Sequence, residues 1–487
     1  MTKGERVDIT AQINRNRGFS PARLCLGLFA GFLLGFMVIF AGCSSESSDP
    51  PPTASVPLVV FSDVHFTPFY DPDIFFDLVD APPDLWADIF NSSSITEPQS
   101  WGKESNYPLL LKMLQAAQEP SQDSPLVMFI GDILAHKFPE TFFALYGEED
   151  ETALQAFVYK TCVFFAAQVR EQIPGLPVIF ILGNNDSYAG DYRLIPGGKF
   201  LSDTADLFYS TFLLGEADPE GFSQTYRAGG YYTAQPASSK VLFICLNTVL
   251  FSVNWSSPGG EDAPLTQLAW LEKTLADAKA EGKKAWLLLH VPPGADVYAT
   301  ISHYMDSGGR ISDAIMMWKP DYQESFLDIL FRYEDTIEAA FSGHTHMDEY
   351  RIALDKDRAP FGMFLNLPAV SPQYGNNPGF KVLTLSPADW EIQNYRSVGL
   401  PFQNPEPAFE DLYAFSSAYH IGLPVEAGLL ELTPLLVTDA DQREKFIHYY
   451  YTGHDGGNPI NATKWPAYWC ATHTMSKTDY MACVNSY

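Results

Sequence analysis

The sequence of 487 residues is poor in positive charge. It contains 30 lysine and arginine residues against 59 aspartate and glutamate residues, which gives a formal net charge of −29. Such a surface repels nucleic acid and anionic lipid headgroups, and it argues against either as a bulk electrostatic partner. A small anionic substrate is still compatible with this charge, because bound divalent cations dominate the field inside a pocket.

Cysteine is also scarce, with six residues in the whole chain. No cysteine spacing resembles a zinc-thiolate site, which argues against that class of structural zinc. Cys162 and Cys245 lie in apolar segments and are expected to be buried free thiols. Cys470 and Cys483 lie close together near the C-terminus, and they are placed to pair if the compartment is oxidising.

The N-terminus has the parts of an export signal. Residues 1–42 combine a basic segment with an apolar run from Leu24 to Gly42, and small residues precede Cys43. The ending Phe-Ala-Gly-Cys resembles a bacterial lipoprotein signal, in which Cys43 is lipidated. The alternative is an uncleaved membrane anchor, since the apolar run is nearly long enough to span a bilayer. Both interpretations predict an exported, membrane-tethered protein, with residues 43–57 as a Ser/Pro-rich tether.

The rest of the chain alternates short apolar runs with helical stretches. Runs such as Leu58–Phe61 and Leu126–Ile130 are typical of buried strands, and each ends in a polar cluster. Helical patterns such as Glu151–Gln172 lie between them. This order predicts an α/β fold over residues 58–400, with ligands gathered at the carboxyl ends of the strands. Residues 401–487 are predicted to form a C-terminal, mainly helical extension.

Seven candidate metal ligands occupy these polar clusters. Taken singly, each cluster has an ordinary explanation, such as a surface turn or a core histidine. Together they place nitrogen and oxygen donors at successive strand ends, a set that suits Zn²⁺, with Mn²⁺ or Fe as alternatives. The candidates are Asp63, His65, Asp132, Asn184, His290, His344 and His346.

The ordered motifs D-x-H, G-D, G-N-N-D, H and G-H-T-H resemble the calcineurin-like metallophosphoesterase superfamily. The resemblance implies a four-layer αββα sandwich that binds two divalent metal ions. It also implies that a metal-bridging hydroxide attacks a small phosphoester substrate. In that scheme the first metal is bound by Asp63, His65 and His346, the second by Asn184, His290 and His344, and both by Asp132.

Three further segments resemble the acid sphingomyelinase-like phosphodiesterases. They are Gly131–His136, His290–Gly294 and Pro368–Phe380. This resemblance implies a phosphodiesterase acting on sphingomyelin-like, choline-linked or nucleotide substrates. The alternatives are a phosphomonoesterase or nucleotidase, a polyphosphatase, or a surface lipoprotein without catalytic activity.

One position departs from the superfamily pattern, because Asn185 stands where Gly-Asn-His is usual. An asparagine amide can donate a hydrogen bond to a phosphoryl oxygen but cannot act as a general acid. We therefore hypothesise that His136 protonates the departing oxygen. The alternative is that His136 is a turn histidine that orients Asp132.

Overall fold

The computed structural model describes residues 55–256, 260–454 and 459–487. The predicted export signal and Cys43 lie outside these residues, as does most of the tether, so the lipid anchor stays a prediction. Strand structure begins at Val56, inside the predicted tether. Among the described residues, no helix combines the length and the apolar character needed to cross a membrane.

Twelve strands are present in the described ranges. They are β1 Val56–Phe61, β2 Val127–Phe129, β3 Val178–Phe180, β4 Tyr232–Ala234, β5 Val241–Cys245, β6 Lys284–Leu288, β7 Ile337–Ser342, β8 Tyr350–Leu354, β9 Pro360–Asn366, β10 Gly379–Leu385, β11 Ile392–Gly399 and β12 Glu410–Ala414. They form two six-stranded sheets, in the orders β12-β11-β10-β1-β2-β3 and β4-β5-β6-β7-β9-β8.

Fifteen α-helices connect and cover these strands in the same ranges. They are α1 Phe75–Asp80, α2 Trp86–Ser92, α3 Tyr107–Ser121, α4 Phe138–Tyr146, α5 Glu151–Gln172, α6 Lys199–Phe208, α7 Pro219–Gly229, α8 Ala263–Ala280, α9 Val297–Tyr304, α10 Pro320–Arg332, α11 Phe415–Tyr419, α12 Val425–Thr438, α13 Ala440–Tyr450, α14 Trp465–Ala471 and α15 Lys477–Val484.

The central strands of both sheets are parallel. β1, β2 and β3 run parallel to one another, as do β5, β6, β7 and β9. Their continuous apolar sequences, such as VMF in β2 and VIF in β3, are wholly buried, as expected for strands covered on both faces. Parallel strands end on the same edge of a sheet, and the predicted polar clusters follow those ends.

Successive residues along the strands of the second sheet belong alternately to two apolar clusters, one on each face of the sheet. Phe243, Trp286 and Phe341 belong to the core that also contains Phe61 and Phe129 of the first sheet. Residues one position along the same strands, such as Ile244 and Leu287, pack with apolar residues of α8 and α10. One face of the second sheet therefore packs against the first sheet, and its other face packs against helices. This arrangement confirms the predicted layered α/β fold.

The C-terminal region is mainly helical, with one correction. The segment Glu410–His420 lies in the extension predicted to be mainly helical, but Glu410–Ala414 forms β12 and pairs antiparallel with β11. Only Phe415–Tyr419 is helical there. The first sheet therefore continues past the predicted boundary at residue 400, because pairing with an edge strand outweighs the local helical pattern.

A disulfide and a buried ion pair each join separate parts of the chain. A disulfide joins Cys470 and Cys483, whereas Cys162 and Cys245 are buried free thiols, as predicted. Asp348 forms a buried ion pair with Lys381 of β10. Because Asp348 lies two residues after a predicted ligand, this ion pair ties the ligand loop to the first sheet.

Candidate metal centre

All seven predicted ligands follow the carboxyl ends of parallel strands. Asp63 and His65 follow β1, Asp132 follows β2, Asn184 follows β3, His290 follows β6, and His344 and His346 follow β7. Backbone hydrogen bonds join the neighbouring loops, including Asp63 N to Gly131 O at 3.0 Å and His65 N to Asp132 O at 3.0 Å. The seven side chains therefore meet at one edge of the sandwich.

The backbone is unusual at five of these positions. Left-handed φ angles occur at Asp63 (50°), His65 (46°), Asp132 (61°), His344 (70°) and His346 (65°). Residues with side chains rarely adopt this conformation, and clusters of such outliers are characteristic of functional sites. The five left-handed residues therefore mark the strand ends as a site under structural constraint.

One set of donors surrounds Asp63. His65 Nε2 lies 3.0 Å from His346 Nε2, and His346 Nε2 lies 3.6 Å from Asp63 Oδ1. His65 Nε2 is also 3.3 Å from Asp132 Oδ2. All four side chains are buried. These atoms form a compact nitrogen and oxygen cluster.

A second set surrounds Asn184. Its Oδ1 lies 3.1 Å from His290 Nε2 and 2.8 Å from His344 Nδ1. His290 Nε2 is 3.2 Å from Asp132 Oδ2, the same oxygen that faces the first set. Asp132 thus stands between the two clusters, which is the place expected for a bridging ligand.

Neighbouring carbonyl groups orient the imidazole nitrogens. His65 Nδ1 donates to Leu134 O at 3.0 Å, and His290 Nδ1 donates to Ile130 O at 2.7 Å. When the ring is neutral, as metal binding requires, its Nε2 atom is an acceptor. The Nε2 atom of a neutral His290 would then face another acceptor, Asn184 Oδ1, at 3.1 Å. Acceptors arranged in this way fit divalent cations that prefer nitrogen and oxygen ligands.

The electrostatic interactions among these side chains also favour a bound cation. Burial opposes the charge of His65, but Asp132 and Asp63 raise its pKa to about 10. Burial likewise opposes the charge of His290, and the same two carboxylates raise its pKa to about 9. The two buried carboxylates therefore create a local field that attracts cations despite the low polarity of the surroundings.

The loops around Asp132 are held by the residues that follow Asn184. Asp186 accepts hydrogen bonds from the backbone N of Asp132 at 3.0 Å, Ile133 at 2.8 Å and Gly183 at 2.8 Å. Asn185 donates to both oxygens of Asp132, from its backbone N at 2.8 Å and from Nδ2 at 3.0 Å. In this structure the Asn185 amide therefore fixes the carboxylate of Asp132.

His136 lies beside the first cluster. Its ring stacks on His65 with 4.1 Å between centroids, and its Nε2 is 3.3 Å from the hydroxyl of Tyr374. His136 Nδ1 is 2.7 Å from Glu104 Oε1, and Ser371 donates to the other oxygen of Glu104 at 3.0 Å. The ring is thus held by a carboxylate on one side, while its other nitrogen faces the rim of the site.

Sequence reasoning does not identify Glu104, because the loop between α2 and α3 matches none of the motifs. Its one signal is a carboxylate placed just before the N-cap of α3 at Asn106. Burial opposes its charge, but His136 and the neighbouring imidazoles hold the pKa of Glu104 below its usual value. Glu104 is therefore an anion that pairs with His136.

A family model matches the part of the chain that contains this site. Residues 56–348 match the model described as calcineurin-like phosphoesterase. This range is more than half of the chain. It begins with β1 and ends just after the last predicted ligand, so it contains all seven predicted ligands and both residues predicted to act on substrate.

Several known phosphodiesterases are similar to this chain over most of their length. Cyclic GMP-AMP phosphodiesterase SMPDL3A of Mus musculus is 28% identical over 397 residues, which cover 79% of this chain and 82% of that protein. The Rattus norvegicus protein of the same name is 26% identical over 407 residues, covering 80% and 85%. Acid sphingomyelinase-like phosphodiesterase 3b of Mus musculus is 22% identical over 378 residues, covering 74% and 75%. The chain belongs to the calcineurin-like phosphoesterase family, and the predicted resemblance to its acid sphingomyelinase-like members is confirmed.

Proposed function

We propose that this chain hydrolyses small phosphodiesters at a dinuclear metal centre. The observation that carries the proposal is that two sets of inward-facing donors share Asp132. The first cation would be held by Asp63, His65, His346 and Asp132, and the second by Asn184, His290, His344 and Asp132. Zinc is the proposed metal, with manganese or iron as alternatives, because the donors are nitrogen and oxygen without thiolate.

When bound, two divalent cations supply an activated water and Lewis acidity at the phosphoryl oxygens. The chain itself provides binding and orientation. Only two carboxylates, Asp63 and Asp132, face the site among the proposed ligands, and Asn184 is neutral. This small negative charge leaves the centre able to admit an anionic phosphoester. Asn185 uses one amide hydrogen on Asp132, and its second hydrogen is left for a phosphoryl oxygen.

His136 is the proposed donor of the proton that the departing alkoxide needs. Its Nδ1 is paired with Glu104, while Nε2 points towards Tyr374 at the rim. A protonated His136 can therefore donate from Nε2 without losing the contact that orients the ring. Asn185 has no proton to give at neutral pH, so the acid role falls to His136.

Diester substrates are favoured over monoesters and polyphosphate. The relatives are named as phosphodiesterases for cyclic GMP-AMP or as acid sphingomyelinase-like, which points to sphingomyelin-like, choline-linked or nucleotide diesters. A polyphosphate chain would need a basic groove, and the net charge of −29 argues against one. Tyr374 is 51% exposed and offers an aromatic face to such a substrate.

Export and tethering through Cys43, or through an uncleaved anchor, belong to the same proposal. Support comes from the disulfide between Cys470 and Cys483, because stable disulfides are typical of oxidising compartments. Metabolic labelling with a fatty acid would separate the two anchors. Labelling that Cys43→Ser abolishes supports a lipoprotein, and an unlabelled but membrane-bound chain supports the anchor.

The enzymatic proposal is tested on the full chain with bis-nitrophenyl phosphate and nitrophenyl phosphate, alongside metal analysis. We expect two equivalents of metal, faster hydrolysis of the diester, loss of activity with a chelator and recovery with Zn²⁺. Asp132→Asn should abolish activity, whereas Asp123→Asn, at an exposed loop position, should not. Faster hydrolysis of the monoester would favour a phosphomonoesterase, and metal binding without any hydrolysis would favour a non-catalytic lipoprotein.

A further inference from the structure

We propose that the turn at Asp191 and Tyr192 positions the ligands of the second cation and thereby sets its affinity. The inference rests on the proposed dinuclear centre. It concerns two consecutive residues outside the ligand set, and each of them holds a different ligand of the same cation.

Asp191 fixes the orientation of the Asn184 amide. An asparagine amide has two orientations of nearly the same shape, and only Oδ1 can bind a cation. Asn184 Nδ2 donates to Asp191 Oδ1 at 2.6 Å. A flipped amide would place Oδ1 against this carboxylate, which has no hydrogen to donate. The contact therefore favours the orientation in which Oδ1 faces His290 and His344.

Tyr192 orients the ring of His344. The Nδ1 atom of His344 faces Asn184 Oδ1, and its Nε2 lies 3.0 Å from the hydroxyl of Tyr192. If Nδ1 gives its lone pair to a cation, Nε2 must carry the hydrogen and donate it to the tyrosine oxygen. Outer hydrogen bonds of this kind orient a ligating imidazole and strengthen its binding.

The backbone explains why adjacent residues reach two ligands. Tyr192 N donates to Asn184 O at 2.8 Å, which folds the turn back onto the ligand loop. Tyr192 has a left-handed φ of 55°, and Gly190 has a φ of 85°. Within the described part of the chain, no hydrogen bond joins this turn to Asp63, His65 or His346. The expected effect is therefore selective for the second cation.

The test measures metal affinity rather than turnover. Purified full-length wild type and the variants Asp191→Ala, Asp191→Asn and Tyr192→Phe are stripped with a chelator and titrated with Zn²⁺ against a chromophoric competitor. Tyr188→Phe is the matched control, since the Tyr188 hydroxyl lies in the same segment but donates to Asp203 at 2.6 Å. Thermal unfolding of each metal-free variant checks that it folds.

We expect the first equivalent to bind as in wild type and the second about 10- to 100-fold more weakly in Asp191→Ala and Tyr192→Phe. Asp191→Asn should fall between, because its oxygen still accepts a hydrogen bond but carries no charge. A second equivalent that binds within about twofold of wild type, or an equal loss at both equivalents, would overturn the inference. A wild-type protein that binds fewer than two equivalents would instead overturn the dinuclear centre itself.

Discussion

Replacing His136 with alanine should slow the hydrolysis of diesters with poor leaving groups far more than the hydrolysis of activated ones. A general acid contributes about 10²- to 10⁴-fold to turnover when the departing oxygen needs a proton. A nitrophenolate leaves without that proton, so the variant should be nearly as active as wild type on such a substrate. The loss should therefore grow steadily with the pKa of the leaving alcohol.

The structure also predicts a smaller effect at Glu104. Its hydrogen bond to His136 Nδ1 spans 2.7 Å, and hydrogen bonds to charged groups contribute about 1.5–3 kcal/mol. Glu104→Gln should then lower turnover about 10- to 150-fold, again more for poor leaving groups. A double variant with His136→Ala should lose little beyond the single alanine variant, because Glu104 acts through His136.

The assay is turnover at saturating substrate on a series of aryl and alkyl phosphodiesters, with metal content measured for every variant. His303→Ala is the matched control, since His303 is an exposed histidine on α9 whose ring bonds to Ala299 O. A loss of less than about tenfold, or one that is equal across the series with both metals in place, would refute the acid role. The better explanation would then be a structural role, in which His136 packs on His65 and pairs with Glu104.

Three further predictions concern metal loading and stability. Because carboxylates raise the pKa values of His65 and His290 to about 10 and about 9, we expect both rings to be protonated at neutral pH in the metal-free protein. Metal binding should release about two protons, and the affinity for metal should rise with pH. A calorimetric binding enthalpy that does not depend on the ionisation enthalpy of the buffer would contradict this. Replacing both cysteines of the Cys470–Cys483 disulfide by serine should lower the free energy of unfolding by about 3 kcal/mol in urea titrations. Lys381→Met should lower it by about 3–5 kcal/mol, because the buried carboxylate of its ion pair loses its partner, and an unchanged urea midpoint would argue against that pair.

The sequence is most informative where short apolar runs end in polar residues. The runs that precede Asp63, Asp132 and His290 are all strands, because a wholly buried parallel strand needs continuous apolar residues. β11 is different, since IQNYRSVG mixes polar and apolar residues and is fixed by its pairing with β10. β12 is hidden in the same way by a locally helical pattern, so both depend on contacts that a single sequence does not display.

The residues of the site also differ in how well the sequence predicts them. Its ligands lie in short motifs at fixed places relative to strands, which makes them visible in the sequence. Glu104 lies in a loop brought to His136 only by the folded chain. The contacts of Asp191 with Asn184 and of Tyr192 with His344 likewise depend on a left-handed turn, and none of the sequence motifs predicts that turn. Residues that act through others are thus the ones that sequence patterns miss.

The left-handed backbone at five of the proposed ligands has an evolutionary consequence. Each such residue is conformationally costly, by about 1–3 kcal/mol, and that cost is tolerated only while selection maintains the site. In a descendant that no longer needs the chemistry, glycine at Asp63 or His344 would relieve the strain while removing the ligand. Glycine at these positions is therefore the expected trace of a lineage that kept the sandwich and abandoned catalysis.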